Sequence, residues 1–411
     1  MKNFKFLCIT ILIFSIQSLR GQNLPSLLTG KNINATFSIL AYDPQVQEWG
    51  IAVATDNIYV GNSTIYIEPG VGGFSVIADT EPRYGIEGLR SLKEGKSIEH
   101  AITAVKKMDE DSNHRQVSGV DAEGNVYAFT GKSLKYWKGK AAVQLGKNFV
   151  VMGNQLADGV LSEMAHAYEN SEGTLAERLL KSLIAGQAAG GQISGKQSAA
   201  IVVKGSHNEW YNQIDLRVDN AKAPFSELET LMNYHYGRIR LNQAHYAHRS
   251  GNLERARKKL AEAENMLDGW TGMYARIAKV NMVMGNEIAA IKWVKKGLSE
   301  NPSWSINLPA FYFLHDHPEM KPLIVPDAYT TTDWESALGM LSNLGREQEL
   351  ISLCNRLFYK GLESSYMHFL IGRSYYYEKE EDKAIEHLEK ALAMDEDNVE
   401  AENLLVKIKS N

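Results

Sequence analysis

Apolar residues alternate in short runs broken by turn signals from Thr36 to Lys204, and after Pro224 they recur with helical spacing to the end of the chain. Alternation with a period of two marks strands that bury a face in a sheet, whereas a period near 3.6 marks amphipathic helices. One chain must therefore build two kinds of core. The pattern predicts an α+β domain over residues 36–235 and an all-α domain over residues 236–411. With 44% hydrophobic and 23% charged residues, the composition is that of an ordinary globular protein and gives material for both cores. A net charge of −5 supplies no whole-chain basic footprint, so nucleic acid is not an expected partner.

The first 22 residues have a different logic. Lys2 and Lys5 precede an almost unbroken apolar run, Phe6 to Ile16, and a polar stretch follows at Gly21-Gln22. That is the layout of a secretory signal peptide over residues 1–22, followed by a short N-terminal segment over 23–35. The run is too short to span a bilayer comfortably, so the expectation is an exported protein, periplasmic or extracellular, without a stable membrane span after the cut; an uncleaved N-terminal anchor is the other reading. Cys8 lies in the signal and Cys354 stands alone in the rest, inside an apolar helical pattern. Cys354 reads as a core residue, and no intramolecular disulfide is expected.

In the first half, Thr36–Tyr42 and Trp49–Ala54 flank Asp43-Pro44 as an opening hairpin, and Gly73–Ala78 is a further strand. Helical spacing covers Ile86–Lys93, then a stretch ending at Met108 with Ser97 as its cap. Gln116–Val120 and Val126–Thr130 form a second hairpin, and Asn148–Met152 is a strand stopped by Gly153. Helices Leu156–Tyr168 and Leu175–Ala188 follow, and a strand Ser198–Lys204 closes the set. Each helix pair needs an apolar surface to cover. Two stacked sheets with helices outside each, an αββα sandwich, meet that need; so does a single sheet with helices on one face.

A collinear series of short motifs narrows this: Thr36-Phe37-Ser38-Ile39, Gly50-Ile51-Ala52-Val53-Ala54, Gly70-Val71-Gly72, Tyr84-Gly85, Arg115-Gln116-Val117, Asp121-Ala122, Thr130-Gly131, Gly153-Asn154, Gly190-Gly191, Gln197-Ser198-Ala199-Ala200 and Asp215-Leu216-Arg217-Val218-Asp219. The series resembles the bacterial domain of unknown function 1028, which is grouped with the N-terminal-nucleophile (Ntn) hydrolases. The resemblance covers about residues 36–235 and implies a four-layer αββα sandwich, without implying a substrate. It also implies an amidohydrolase chemistry in which the first residue of the mature chain is the nucleophile and its own α-amine is the base. An α-amine with a pKa of about 7.7–8 can take that proton at neutral pH.

The residue matching the family's nucleophile is Thr36. Residues 23–35 would remain ahead of it after signal removal, so either a second cleavage follows Ala35 or Thr36 is only a strand residue. By the same comparison, Thr55 and Asp56 would lie beside Thr36, Thr55 to orient the nucleophile and Asp56 to bind substrate, or they form a strand-end turn. Asn154 is an oxyanion donor or a turn residue; Arg115 and Asp121 recognise a substrate carboxylate or amine or form a surface pair; Asp79 is a strand-end candidate for substrate binding. Two departures stand out. The family usually has Thr-Gln where this chain has Val76-Ile77, and Gly-Gly-Asp with a following Arg-Gly where this chain has Gly190-Gly191-Gln192 and Ser194-Gly195. They imply the loss of polar groups from the cleft, and with it altered specificity or a binding-only domain. The run Gly190 to Lys196 mimics a P-loop, but helix precedes it and strand follows, the reverse of what a phosphate cradle needs.

In the second half, Gly372, Tyr375, Ala384, Leu388 and Ala391 carry the small and large spacing of a tetratricopeptide repeat. Ala256 and Ala290 are 34 residues apart, the period of that repeat, and a weaker unit starts near Trp334. Ser303 to Thr332 reads as a connector or a degenerate repeat. Repeats must stack to bury their faces, which creates a groove for a peptide or protein partner; packing on the first domain and self-association are the other uses. His245 with His248, and His315-Asp316-His317, lack the further ligands of a zinc site, and no metal or cofactor is expected.

Overall fold

The computed structural model describes residues 35–209 and 213–410 in two compact units dividing after Met232; the signal-peptide expectation lies outside the described residues. The first unit runs β1 (Thr36–Asp43), β2 (Glu48–Thr55), β3 (Ile65–Glu68), β4 (Gly72–Ala78), α1 (Arg83–Lys93), α2 (Ile98–Met108), β5 (Arg115–Asp121), β6 (Val126–Thr130), β7 (Lys140–Gly146), β8 (Phe149–Leu156), α3 (Val160–Glu169), α4 (Leu175–Ala188), β9 (Ser198–Gly205) and β10 (Ile214–Val218). The strands form two sheets, ordered β10-β9-β2-β1-β8-β7 and β3-β4-β5-β6, and every pairing is antiparallel.

β1 is buried on both faces, which explains its nearly continuous apolar sequence. Phe37 packs toward Met164 of α3 and Gly186 of α4. On the opposite face, Leu40 meets Gly73 and Ser38 hydrogen-bonds Ser75 Oγ at 2.9 Å, so β1 touches the second sheet. α1 and α2 pack on the second sheet, where the Gly88 position admits the Phe74 ring and Gly119 admits Ile98. Ser97 caps α2 by accepting the His100 N–H, as its position before the apolar face predicts.

Three corrections have physical causes. β8 continues through Gly153 to Leu156. A Cβ on Gly153 would stand 2.7 Å from the Phe37 Cβ, so this glycine serves close strand packing rather than a turn. α3 consequently starts at Val160 rather than Leu156, after Gly159 in a left-handed conformation. Ser198–Gly205 does not close the sheet set, because β10 pairs beyond it.

In the second unit α5 (Pro224–Arg249), which begins in the first, leads into α6 (Leu253–Leu267), α7 (Thr271–Val283), α8 (Glu287–Glu300), α9 (Thr331–Asn343), α10 (Glu347–Tyr359), α11 (Ser365–Tyr377), α12 (Glu381–Met394) and α13 (Val399–Lys409). Gly372 lets α11 approach α12: a Cβ there would lie 3.1 Å from Leu388 Cγ and 3.2 Å from the Ala384 carbonyl. Ala256, Ala290 and Ala384 are fully buried. Between α8 and α9 the chain makes 3₁₀ turns over Pro302–Leu314 and Pro326–Ala328, and seats Trp304, Leu308, Phe311 and Leu314 in the core. Cys354 is buried in the core of the last helices, and burial raises its thiol pKa, as befits an inert packing residue. No helix among the described residues is long and apolar enough to cross a membrane.

Candidate functional site

Sheet register assembles the site. Thr36 opens β1 and pairs with Thr55 at the end of β2 on one side and with Asn154 of β8 on the other; Thr55 in turn pairs with Ser198 at the start of β9. Directly paired residues project from the same face of a sheet. Asn154, Thr36, Thr55 and Ser198 therefore form one row across four neighbouring strands, on the face that also carries Ser38 toward the second sheet. All four are nearly or fully buried.

The Thr55 hydroxyl donates to the Ala35 carbonyl at 2.7 Å and lies 3.1 Å from the Thr36 hydroxyl. A hydroxyl has a single hydrogen. With that hydrogen on Ala35, Thr55 accepts from Thr36, and the two threonines form a directed chain ending on the carbonyl just before Thr36. Gln192 Nε2 donates to the same carbonyl at 2.6 Å and to the Ala54 carbonyl at 3.0 Å. The Asp56 N–H adds a longer contact to it, at 3.3 Å. The carbonyl of the Ala35–Thr36 peptide bond thus meets three donors.

Asn154 has a different part from an oxyanion donor. Its Oδ1 accepts the Thr36 N–H at 3.2 Å, and its Nδ2 donates to Gln116 Oε1 at 3.3 Å. Gln116, fully buried on β5, directs its Nε2 at Thr130 Oγ1 and at the Ala142 and Gly153 carbonyls, 3.0–3.1 Å away. The second sheet thereby fixes the Asn154 amide against Thr36. Asp56 is half-buried with one carboxylate oxygen unpartnered; burial raises its pKa, and the Ser194 hydroxyl lowers it in smaller part.

The other candidates fall elsewhere. Arg115 Nε donates to Asp109 at 3.0 Å, and its Nη1 reaches the Asp79 carboxylate at 3.2 Å. Burial works to lower the Arg115 pKa, but Asp109 and then Asp79 outweigh it and raise it. This guanidinium is spent on holding β5 to the turn after α2, so Arg115 and Asp79 form a structural pair. Asp121 lies at the opposite end of β5, where its carboxylate accepts the backbone N–H groups of Glu123 and Asn125 and ties the β5–β6 turn. The structure brings Thr36, Thr55, Asp56 and Asn154 together and leaves Asp79, Arg115 and Asp121 out.

Gln116, Gln192 and Ser198 received no role from the sequence. Gln192 is the most instructive, since the departure at Gly190-Gly191-Gln192 implied a lost polar group. A single antiparallel bridge to Leu156 brings this buried side chain to the Ala35 carbonyl. Its residue type, a glutamine in place of another polar residue, was the available signal.

Among families, the model of a family of unknown function, DUF1028, matches residues 36–228, and a tetratricopeptide repeat model matches residues 365–398. A crystal structure of a Silicibacter pomeroyi protein of the same DUF1028 family is 32% identical, and the match covers 48% of this chain and 84% of that one with a TM-score of 0.44. A solved tetratricopeptide repeat domain is 16% identical over 42% of this chain and 55% of its own, with a TM-score of 0.22. None of the curated proteins compared with the chain matches it.

Proposed function

Because this chain belongs to the DUF1028 family and carries a tetratricopeptide repeat behind that domain, we propose that it is an exported Ntn-type amidohydrolase for peptide-like or small amide substrates, with Thr36 as its nucleophile. The observation that carries this reading is the set of donors on the Ala35 carbonyl, next to the Thr36 hydroxyl. Charge that develops on a carbonyl oxygen is stabilised most by donors already in place. Thr55 Oγ1 and Gln192 Nε2 are such donors.

The chemistry requires a cut between Ala35 and Thr36. The freed amine, positioned by Asn154 Oδ1, takes the Thr36 hydroxyl proton while Oγ1 bonds to the substrate carbonyl carbon. The oxyanion occupies the place of the Ala35 oxygen. The C–N bond then breaks, the leaving amine takes the proton, and water hydrolyses the remaining ester. Helix pairs on the outer faces of two contacting sheets support the Ntn-type αββα sandwich, and residues 1–22 support export.

N-terminal sequencing of the exported protein is the test. The expected mature chain begins at Thr36, and Thr36→Ala removes amide hydrolysis by on the order of 10³-fold or more. A chain that begins near Asn23 and still hydrolyses amides overturns the Thr36 chemistry. The second reading is a binding scaffold with a degenerate Ntn-like domain, in which the repeats supply the interaction surface. The tetratricopeptide repeat favours a protein-binding role, and this reading expects Thr36→Ala to change nothing.

A further inference from the structure

We infer, on the amidohydrolase reading, that the substrates carry a free α-ammonium on their acyl side and that Asp56 binds it. Ala35 displays the recognition, because both its polar groups are held. Its carbonyl meets the Thr55 hydroxyl at 2.7 Å, Gln192 Nε2 at 2.6 Å and the Asp56 N–H at 3.3 Å. Its own N–H donates to the Asp56 carboxylate. Ala35 itself is fully buried. Asp56 thus touches the residue twice, through its backbone at the carbonyl and through its side chain at the nitrogen. An acyl group that takes the place of Ala35 presents its carbonyl oxygen to the donors and its α-nitrogen to the Asp56 carboxylate.

A carboxylate is a stronger acceptor than that N–H requires. The next N–H along the chain, that of Thr36, is met by the neutral amide oxygen of Asn154. Taking a carboxylate out of water is costly, and one amide hydrogen offsets little of the cost. Burial raises the Asp56 pKa, and the groups that act against it, the Ser194 hydroxyl, its own N–H and the Ala35 N–H, are all neutral donors. No cation among the described residues pairs with Asp56, and its Oδ1 is buried without a partner. Lys196, close by in sequence to Ser194, lies over the Phe225 ring instead. An ammonium brings a full charge and up to three hydrogens, enough to offset the desolvation and to reach the unpartnered oxygen. The place of Ala35 therefore fits an aminoacyl amide or the N-terminal residue of a peptide. It disfavours an N-acylated residue, whose nitrogen has no charge.

The experiment uses the exported protein, its N-terminus sequenced, with alanine 4-nitroanilide and N-acetylalanine 4-nitroanilide as substrates. The free amine is expected to have the higher kcat/KM by on the order of 10²-fold, the effect of a buried charge pair. Asp56→Asn keeps an acceptor without the charge and should shrink that ratio by about tenfold or more. In the wild type, alaninamide should protect Asp56 from coupling by a carbodiimide, read by mass spectrometry, and N-acetylalaninamide should not; this readout needs neither the variant nor turnover. A ratio near one, or one that favours the acetylated substrate, overturns the proposal and leaves the hydrolase reading standing. So does an Asp56→Asn variant that slows both substrates alike, since Asp56 would then serve the α-amine of Thr36 itself. If a chain that begins at Thr36 hydrolyses neither substrate, protection of Asp56 by alaninamide alone upholds the ammonium site while the hydrolase reading falls, and absence of protection overturns both. A chain that begins upstream of Thr36 also overturns both, because Ala35 then keeps the place.

Discussion

The two units gather their polar groups by different rules. In the α/β unit, residues 36, 55, 116, 154, 192 and 198 meet although they are scattered over more than 150 positions, because strand register places five of them and a single bridge places residue 192. In the helical unit, polar contacts join neighbouring helices: Asn281 Nδ2 and Trp293 Nε1 both donate to Glu264 at 2.8 Å, and His368 meets His387 at 2.9 Å. A sheet fixes its row all at once, since a one-residue slip sends every side chain to the other face. Stacked helices allow each contact to change alone. The first arrangement suits a site that must hold reacting atoms, and the second suits a surface that varies its ligand.

The sharpest way to break this comparison is Asp109→Ala. It leaves Arg115 buried with its closest partner gone, and it should cost about 3–5 kcal/mol of stability, read by urea denaturation. A loss below about 1 kcal/mol would mean that the pair behaves as an exposed one and that β5 is held by other means. Next is Gln192→Ala, which removes a donor from the Ala35 carbonyl and, on the proposed amidohydrolase chemistry, should lower kcat by on the order of 10²-fold with little change in KM. A change confined to KM would place Gln192 in substrate binding instead.

The smallest effect is a difference in sign with pH. Burial, and then His368, depresses the His387 pKa to about 4. The folded state therefore binds fewer protons than the unfolded one between about pH 6.5 and 4, and acidification through that window destabilises the repeats, by about 1–2 kcal/mol after allowance for partial exposure. Asp56 acts oppositely: its raised pKa makes the folded state the better proton binder, so its contribution falls as pH rises through that pKa. Thermal melts of the wild type and His387→Gln from pH 4 to 7.5 should show the acid loss in the former and a flatter profile in the latter.

Legibility in the sequence followed the same divide. The central strands and paired helices could be read because burial on one or both faces imposes a strong apolar pattern. The three missed strands, β3, β7 and β10, all lie at sheet edges, where exposure weakens it: β7 reads Lys-Ala-Ala-Val-Gln-Leu-Gly. Thr36, Thr55 and Asn154 came from the family resemblance, and a tight first hairpin was enough to place Thr55 beside Thr36. Gln192 could not be placed, because the loop after α4 has no periodicity to aim its side chain. Arg115 misled for a related reason: its partner Asp109 lies at the end of α2, in a turn whose geometry the strand pattern does not contain. The repeats were legible from Gly372 and Ala384 because small residues at a helix crossing are set by local offsets.

Gln116 has one more consequence. Its carboxamide hydrogens are bonded to acceptors on β6, β7 and β8, and it is sealed from solvent. They can exchange with deuterium only when the structure opens around them, so one side-chain amide signal serves as a clock for how often the interior beside Thr36 opens to water.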